Sequence, residues 1–135
     1  MEYKDKIPFK TDFYPLYTQS GWIERLNLSP DELNKAIQNS FAVISVYQNE
    51  QLIGFGRAVS DGVAYATIYD VMVLPNWQGQ GIGSKIIRLL VKKCDRHDIR
   101  RIHLFAARGS ESFYKHLGFI ARPYDSPGMV YEKVG

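Results

Sequence analysis

The sequence predicts an α+β domain, a mixed and largely antiparallel sheet with helices on its faces. Three observations carry this. Stretches rich in β-branched and aromatic residues at 41–47, 52–59 and 63–74 follow one another across short polar turns, as antiparallel strands do. From 82 to 97 apolar residues recur at helical spacing, with Ile82, Ile86, Leu90 and Cys94 in one row and Ile87 and Val91 beside it. Between the last strand and this helix lies a turn holding Gly79, Gly81 and Gly83.

In chain order, residues 4–9 read as a short extended piece and residues 12–22 as an irregular helix and loop. A better-marked helix follows: Ser29 can cap it, Pro30 suits its first position, and Glu32 completes a Ser-x-x-Glu capping box before Leu33, Ala36 and Ile37. The three strands come next, the first two joined at Gln48-Asn49-Glu50-Gln51 and the last two at Ser60-Asp61-Gly62. After the long helix, 101–107 reads as a strand and 110–117 as a short helix ended by Gly118. Residues 119–134 read as one or two closing strands broken at Pro123 and Pro127. Cys94, on the apolar row, is expected in the core rather than as a nucleophile.

A length of 135 residues and an apolar fraction of 45% suit one domain spanning 1–135, and no repeat or linker divides it. The net charge of +3 is mild, and Asp95 and Asp98 interrupt the most basic stretch, 85–101, so a solvated helix face is expected and nucleic acid is not. A single cysteine cannot form an internal disulfide, and no Cys/His spacing suggests a metal. No apolar run reaches the ~18 residues that span a bilayer, and none near the start has signal-peptide length, so the expected location is the cytoplasm without membrane insertion.

The most informative segment is the strand ending Val71-Met72-Val73-Leu74-Pro75 and the turn Gln78-Gly79-Gln80-Gly81-Ile82-Gly83 that opens the helix. Glycines let the backbone approach an anion, successive N–H groups point inward, and the helix amino terminus adds favourable potential. The spacing is not the G-x-G-x-x-G of a dinucleotide fold, and no Gly-Lys-Ser/Thr of a P-loop follows.

Gln78-x-x-Gly81-x-Gly83 resembles the Q/R-x-x-G-x-G/A loop of the GNAT superfamily of acetyltransferases, and Phe113-Tyr114-Lys115-His116-Leu117-Gly118-Phe119 resembles that family's F-Y-x-x-x-G-F signature. The runs Gly56-Arg57-Ala58-Val59-Ser60-Asp61-Gly62, Asp70-Val71 and Pro127-Gly128-Met129 are similar to a subgroup that includes plastid-type serotonin N-acetyltransferases. The resemblance implies acetyl-coenzyme A as cosubstrate, no metal, and a cofactor-binding core over about 63–121.

It further implies a bulge in the strand at Val71, Met72 and Val73 that frees main-chain groups for the pantetheine arm, with the Val73 N–H facing the thioester oxygen. Gln78, Gly79, Gln80, Gly81, Ile82, Gly83 and Ser84 would surround the diphosphate, with Lys85 and Arg88 as outer partners or simply exposed. Tyr114 stands at the family's general-acid tyrosine, while Phe113 is expected to supply the packing. Where many members carry an asparagine, Ala106-Ala107-Arg108 stands instead.

No dedicated signal marks a base. Asp70, Glu24 or a water chain could serve, and His97, His103 and His116 are expected in local structural roles. Tyr17, Trp22 and Tyr69 are the candidates for binding the acceptor, with Tyr14 close by and Tyr65 expected in the core. The expected partners are a small primary amine and a second copy of the chain. Acetylation of protein amino termini or lysines, and a silent coenzyme A-binding module, are the competing functions.

Overall fold

A computed structural model describes residues 1–20 and 26–133. Its backbone contacts divide into two units, Met1–Leu104 and Phe105–Gly135.

In the first unit the elements run β1 (Glu2–Lys4), α1 (Lys10–Gln19), α2 (Pro30–Gln38), β2 (Ala42–Gln48), β3 (Gln51–Ser60), β4 (Tyr65–Val73), a 3₁₀ turn (Pro75–Trp77), α3 (Ile82–Arg96) and β5 (Arg101–Leu104). The sheet order is β1-β2-β3-β4-β5. The first three pairings are antiparallel and the last, β4 with β5, is parallel. The start of the chain differs from expectation: strand pairing ends at Lys4, and residues 5–9 lead directly into α1. The buried Ser45 hydroxyl donates to the Lys6 carbonyl at 2.7 Å, which gives that connection a fixed course without a ladder.

Local signals set the boundaries. Ser29 and Glu32 form the expected reciprocal cap on α2, with Glu32 N–H donating to Ser29 Oγ at 3.2 Å and Ser29 N–H to Glu32 Oε1 at 2.9 Å. At the β3–β4 turn Asp61 Oδ1 accepts from the N–H groups of Val63, Ala64 and Tyr65. These three donors hold its carboxyl below the usual carboxylate range.

Helices cover both faces. On one, Ile82, Ile86, Ile87, Leu90 and Cys94 are buried, so the predicted row is the inner face of α3, and burial pushes the Cys94 thiol up. On the other, Phe13, Leu16 and Tyr17 of α1 and Leu33 and Ile37 of α2 are buried, and the Phe13 ring meets Phe55 edge-on at 4.7 Å.

Helix α3 lies close to β3 because Gly54 and Gly56 present no side chain to it. A Cβ at Gly56 would fall 2.6 Å from Ile86 Cγ2 and 3.2 Å from Leu90 Cδ1. Gly56→Ala is therefore expected to destabilise the fold by about 1–3 kcal/mol through overpacking, read as a lower denaturation midpoint at unchanged slope. An unaltered midpoint would show that the helix gives way freely.

The second unit holds α4 (Glu111–His116). Its end is a Schellman motif: Gly118 has φ 97°, Gly118 N–H donates to Lys115 O at 3.1 Å, and Phe119 N–H to Tyr114 O at 3.1 Å. The expected closing strands are absent from the described residues 119–133. A strand needs a partner ladder, and Pro123 and Pro127 remove donors from any ladder within this short unit. Arg122 instead clips the turn to Ser126, Nε donating to the carbonyl and Nη2 to the hydroxyl, both at 2.7 Å. Ile120, Tyr124, Met129, Val130 and Tyr131 are correspondingly exposed.

Candidate active site

The site begins with an irregularity in β4. Its register against β3 runs Arg57↔Tyr69 and then Phe55↔Met72, so Gly56 alone stands opposite Asp70 and Val71. That is a β-bulge. Asp70 absorbs it with φ 57°, a left-handed conformation that Asp tolerates better than most side chains. The bulge sits at Asp70–Val71, at the upstream edge of the expected position.

The other edge of β4 is open. Its pairing with β5 stops at Ile68↔Leu104, leaving Tyr69–Val73 without a strand on that side among the described residues. Leu74 N–H donates inward, to Ile53 O of β3 at 2.9 Å. Because main-chain groups alternate in direction along a strand, Val73 directs its N–H and carbonyl to the open edge. The carbonyl is taken by Gln78 Nε2 at 2.9 Å, a clamp from the following turn. Among the described residues the N–H has no strand partner on that edge.

Directly after Gln78 the chain reaches the glycines of the turn. Gly79 and Gly81 have φ of 80° and 84°, Gly81 is the amino cap of α3, and a Cβ on either would meet nothing within 4 Å. Open space, left-handed glycines and the amino terminus of a long helix form a cradle for an anion. Among the predicted loop residues the side chain of Ile82 is buried in the core, as is that of Met72, so both can contribute only backbone to a ligand. Gln80 is exposed, and Gly83 and Ser84 are half-buried at the start of the helix. Lys85 Nζ stands 4.2 Å from the Tyr3 ring centroid, which supplies a partner other than a phosphate; Arg88 is exposed.

On the face covered by α1 and α2, the bulge brings together residues far apart in sequence. Arg57 Nε donates to Asp70 Oδ2 at 2.7 Å, with the two side chains only 17% and 24% exposed. The guanidinium also lies 5.7 Å from the Tyr69 ring centroid. Tyr17 is nearly fully buried beside Phe13 and Tyr14, so its ring belongs to the core. Its phenol is pushed up by burial first and by the charge of Asp70 second. Sequence reasoning pairs no residue with Asp70. Only the antiparallel register plus the bulge brings Arg57 to it.

Other expectations change. Tyr65 is 56% exposed and stacks on His103 at 5.9 Å, because the end of β4 beside β5 lies outside the helix cover. Phe113 is 40% exposed, whereas Tyr114 is the half-buried ring of that pair. Tyr114 sits between Phe113 at 5.0 Å and Phe119 at 6.1 Å, the latter contact belonging to the Schellman cap. Burial pushes its phenol up, so it stays protonated at neutral pH. His97 and His116 bond the carbonyls of Lys93 and Ser112, one turn back. Trp22 and Glu24 lie outside the described residues. Among the described residues no group of three His, Cys, Asp or Glu is placed to hold a metal, and no helix is long and apolar enough to cross a membrane.

The arrangement can bind an anion at the start of α3 and, along the adjoining β4 edge, an extended chain bearing amides. Residues 9–119 match the sequence profile of the acetyltransferase (GNAT) family. The chain is 39% identical over 144 residues to an uncharacterized N-acetyltransferase, ycf52, of Pyropia yezoensis, an alignment covering 94% of this chain and 80% of that protein. It is 38% identical over 131 residues to a Glycine max protein named histone acetyltransferase TAP1, covering 89% of this chain and 55% of that one. The structure of a probable acetyltransferase of unknown function from meticillin-resistant Staphylococcus aureus superposes with a TM-score of 0.85 at 26% identity, over 98% of each chain. The chain spans about half the length of two Glycine max relatives and 66% of a further ycf52 protein from Gracilaria tenuistipitata var. liui.

Proposed function

This chain belongs to the acetyltransferase (GNAT) family, and on that premise we propose that it transfers an acetyl group from acetyl-coenzyme A to a primary amine, a small alkylamine or arylalkylamine, by direct attack on the thioester. One observation carries the reading: the open β4 edge runs through the Gln78 clamp straight into the left-handed glycines at the start of α3. That succession fits a ligand with an amide-bearing arm joined to a diphosphate. Acetyl-coenzyme A supplies the activated acyl carbon when bound. The chain does the rest.

The backbone from Gln78 to Ser84 holds the diphosphate, and the Val73 N–H donates to the thioester oxygen, where negative charge grows during attack. Tyr114 gives its proton to the departing thiolate. Asp70 and Tyr69 form the acceptor side, with Tyr17 as a core ring behind them; this side receives a cationic amine, whose proton leaves through a water chain before the neutral nitrogen attacks. The cytoplasm is the proposed compartment. The similarity of the runs Gly56–Gly62, Asp70-Val71 and Pro127–Met129 to plastid-type serotonin N-acetyltransferases motivates an arylalkylamine, and the name of the Glycine max relative makes a lysine peptide the natural comparison.

Two measurements test this. Acetyl-coenzyme A at a hundredfold excess over its Kd should add about 2.7 kcal/mol of apparent stability, visible as a melting shift of several degrees. Thiol release from acetyl-coenzyme A should then rise on adding phenethylamine more than on adding a histone-tail lysine peptide. No melting shift with ligand-free protein would remove the cofactor assignment, and stronger stimulation by the peptide would replace the amine with a protein acceptor.

A further inference from the structure

Arg57 has no role in the scheme above, yet it is the best-anchored charge on the acceptor side. Besides Asp70, its Nη1 reaches the Ala36 carbonyl at 3.4 Å in the last turn of α2 and Ser40 Oγ at 3.3 Å just beyond the end of that helix. The guanidinium is thus fixed by two neutral oxygens before the carboxylate is considered. Only one carboxylate oxygen, Oδ2, is engaged by it; Oδ1 accepts no hydrogen bond among the described residues.

A left-handed Asp in a bulge has a costly backbone and a side chain free to choose rotamers. An ion pair anchored from a separate helix removes that choice. The result is a carboxylate held in one orientation, partly shielded from water, with one oxygen in reserve. A preorganised half-paired carboxylate is suited to a second cation, since the geometry is set before the ligand arrives.

We propose that Arg57 is a positioning residue: it fixes Asp70 at the bulge so that Oδ1 receives the ammonium group of the acceptor amine. The inference rests on the amine-acetylating reading and deepens it. Recognition of the cation belongs to Asp70, and its orientation belongs to Arg57, Ser40 and the end of α2. No covalent step is involved, because the ammonium is bound here before it loses its proton.

The test uses phenethylamine and its neutral counterpart 2-phenylethanol as probes. In Arg57→Gln the KM for phenethylamine should rise on the order of tenfold, the loss expected for one misaligned charge-assisted contact, with kcat and acetyl-coenzyme A affinity within about twofold of the unaltered protein. Arg57→Lys should recover part of the loss, since it keeps the charge without the planar fork. Ser40→Ala, which loosens only the far anchor, should move KM the same way by less.

Direct binding, followed by NMR without acetyl-coenzyme A, separates this inference from the reading beneath it. The unaltered protein should bind phenethylammonium more tightly than 2-phenylethanol, and Arg57→Gln should erase the difference. If amines fail to stimulate thiol release yet this preference persists and depends on Arg57, the acetylation reading falls and the anchoring role stands. If folded Arg57→Gln and Arg57→Lys show unchanged KM and unchanged ammonium binding, or the unaltered protein binds both probes equally, the inference is overturned. Should Arg57→Gln fold poorly, Arg57→Lys and Ser40→Ala decide it on the same readouts.

Discussion

Gly81→Val should weaken acetyl-coenzyme A binding by at least about a hundredfold while the sheet remains formed, the loss expected when several main-chain donors to a diphosphate are displaced together. Gly81 caps α3 with φ 84°, and its missing Cβ would project into open space. A Cβ there meets no protein atom within 4 Å, so the expected loss to the fold is the roughly 1–2 kcal/mol of a left-handed L-residue, somewhat more for a branched one. The damage falls on the ligand, whose phosphates would need the space the isopropyl group takes. Gly62→Val is the control: it too has a positive φ, 83°, and open surroundings, but it lies in the β3–β4 turn. Both variants should melt a few degrees early, and only Gly81→Val should lose its response to acetyl-coenzyme A by calorimetry. Equal affinities would reduce the loop to a connector.

Tyr114→Phe should lower turnover on the order of a hundredfold, the lower range of general acid catalysis, with acetyl-coenzyme A affinity little changed. The ring keeps its place, because its contacts to Phe113 and Phe119 and the Schellman bonds at Gly118 do not involve the phenol oxygen. Burial raises the phenol from its ordinary value, so the proton is present throughout the neutral range and deprotonation of Tyr114 sets no limit on the rate there. Steady-state turnover and calorimetric affinity on the same variant discriminate the roles. Unchanged turnover with chemistry rate-limiting would leave the ring as a cap contact and water as the proton source.

Much of the fold is legible because local rules decide it. The Ser29–Glu32 box, the row Ile82, Ile86, Leu90 on α3 and the stop at Gly118 each depend on residues within a few positions of one another. The glycine turn is legible for the same reason: strand, turn and helix are contiguous. What fails is whatever depends on a partner distant in the chain. The bulge is legible only through the family resemblance and not from the residues Tyr69 to Met72 themselves, since the extra residue exists only relative to Gly56 on the neighbouring strand. Arg57 and Asp70 become partners through that same register. Residues 119–133 have strand-like composition, but composition does not provide the ladder a strand requires. Residue type alone places Tyr65 and Phe113 in the interior, whereas Tyr65 is exposed at an end of β4 outside the helix cover and Phe113 is 40% exposed.

The open edge of β4 has a consequence for reading variation in relatives of this chain. Its unused donor belongs to the peptide bond of Val73, and every residue except proline carries the same group. Replacing Val73 by isoleucine, threonine or alanine alters sheet packing but leaves that donor untouched. An alanine scan would therefore score the position as neutral for ligand contact, and drift among aliphatic residues would disguise its use. Only proline, which deletes the N–H itself, would expose it.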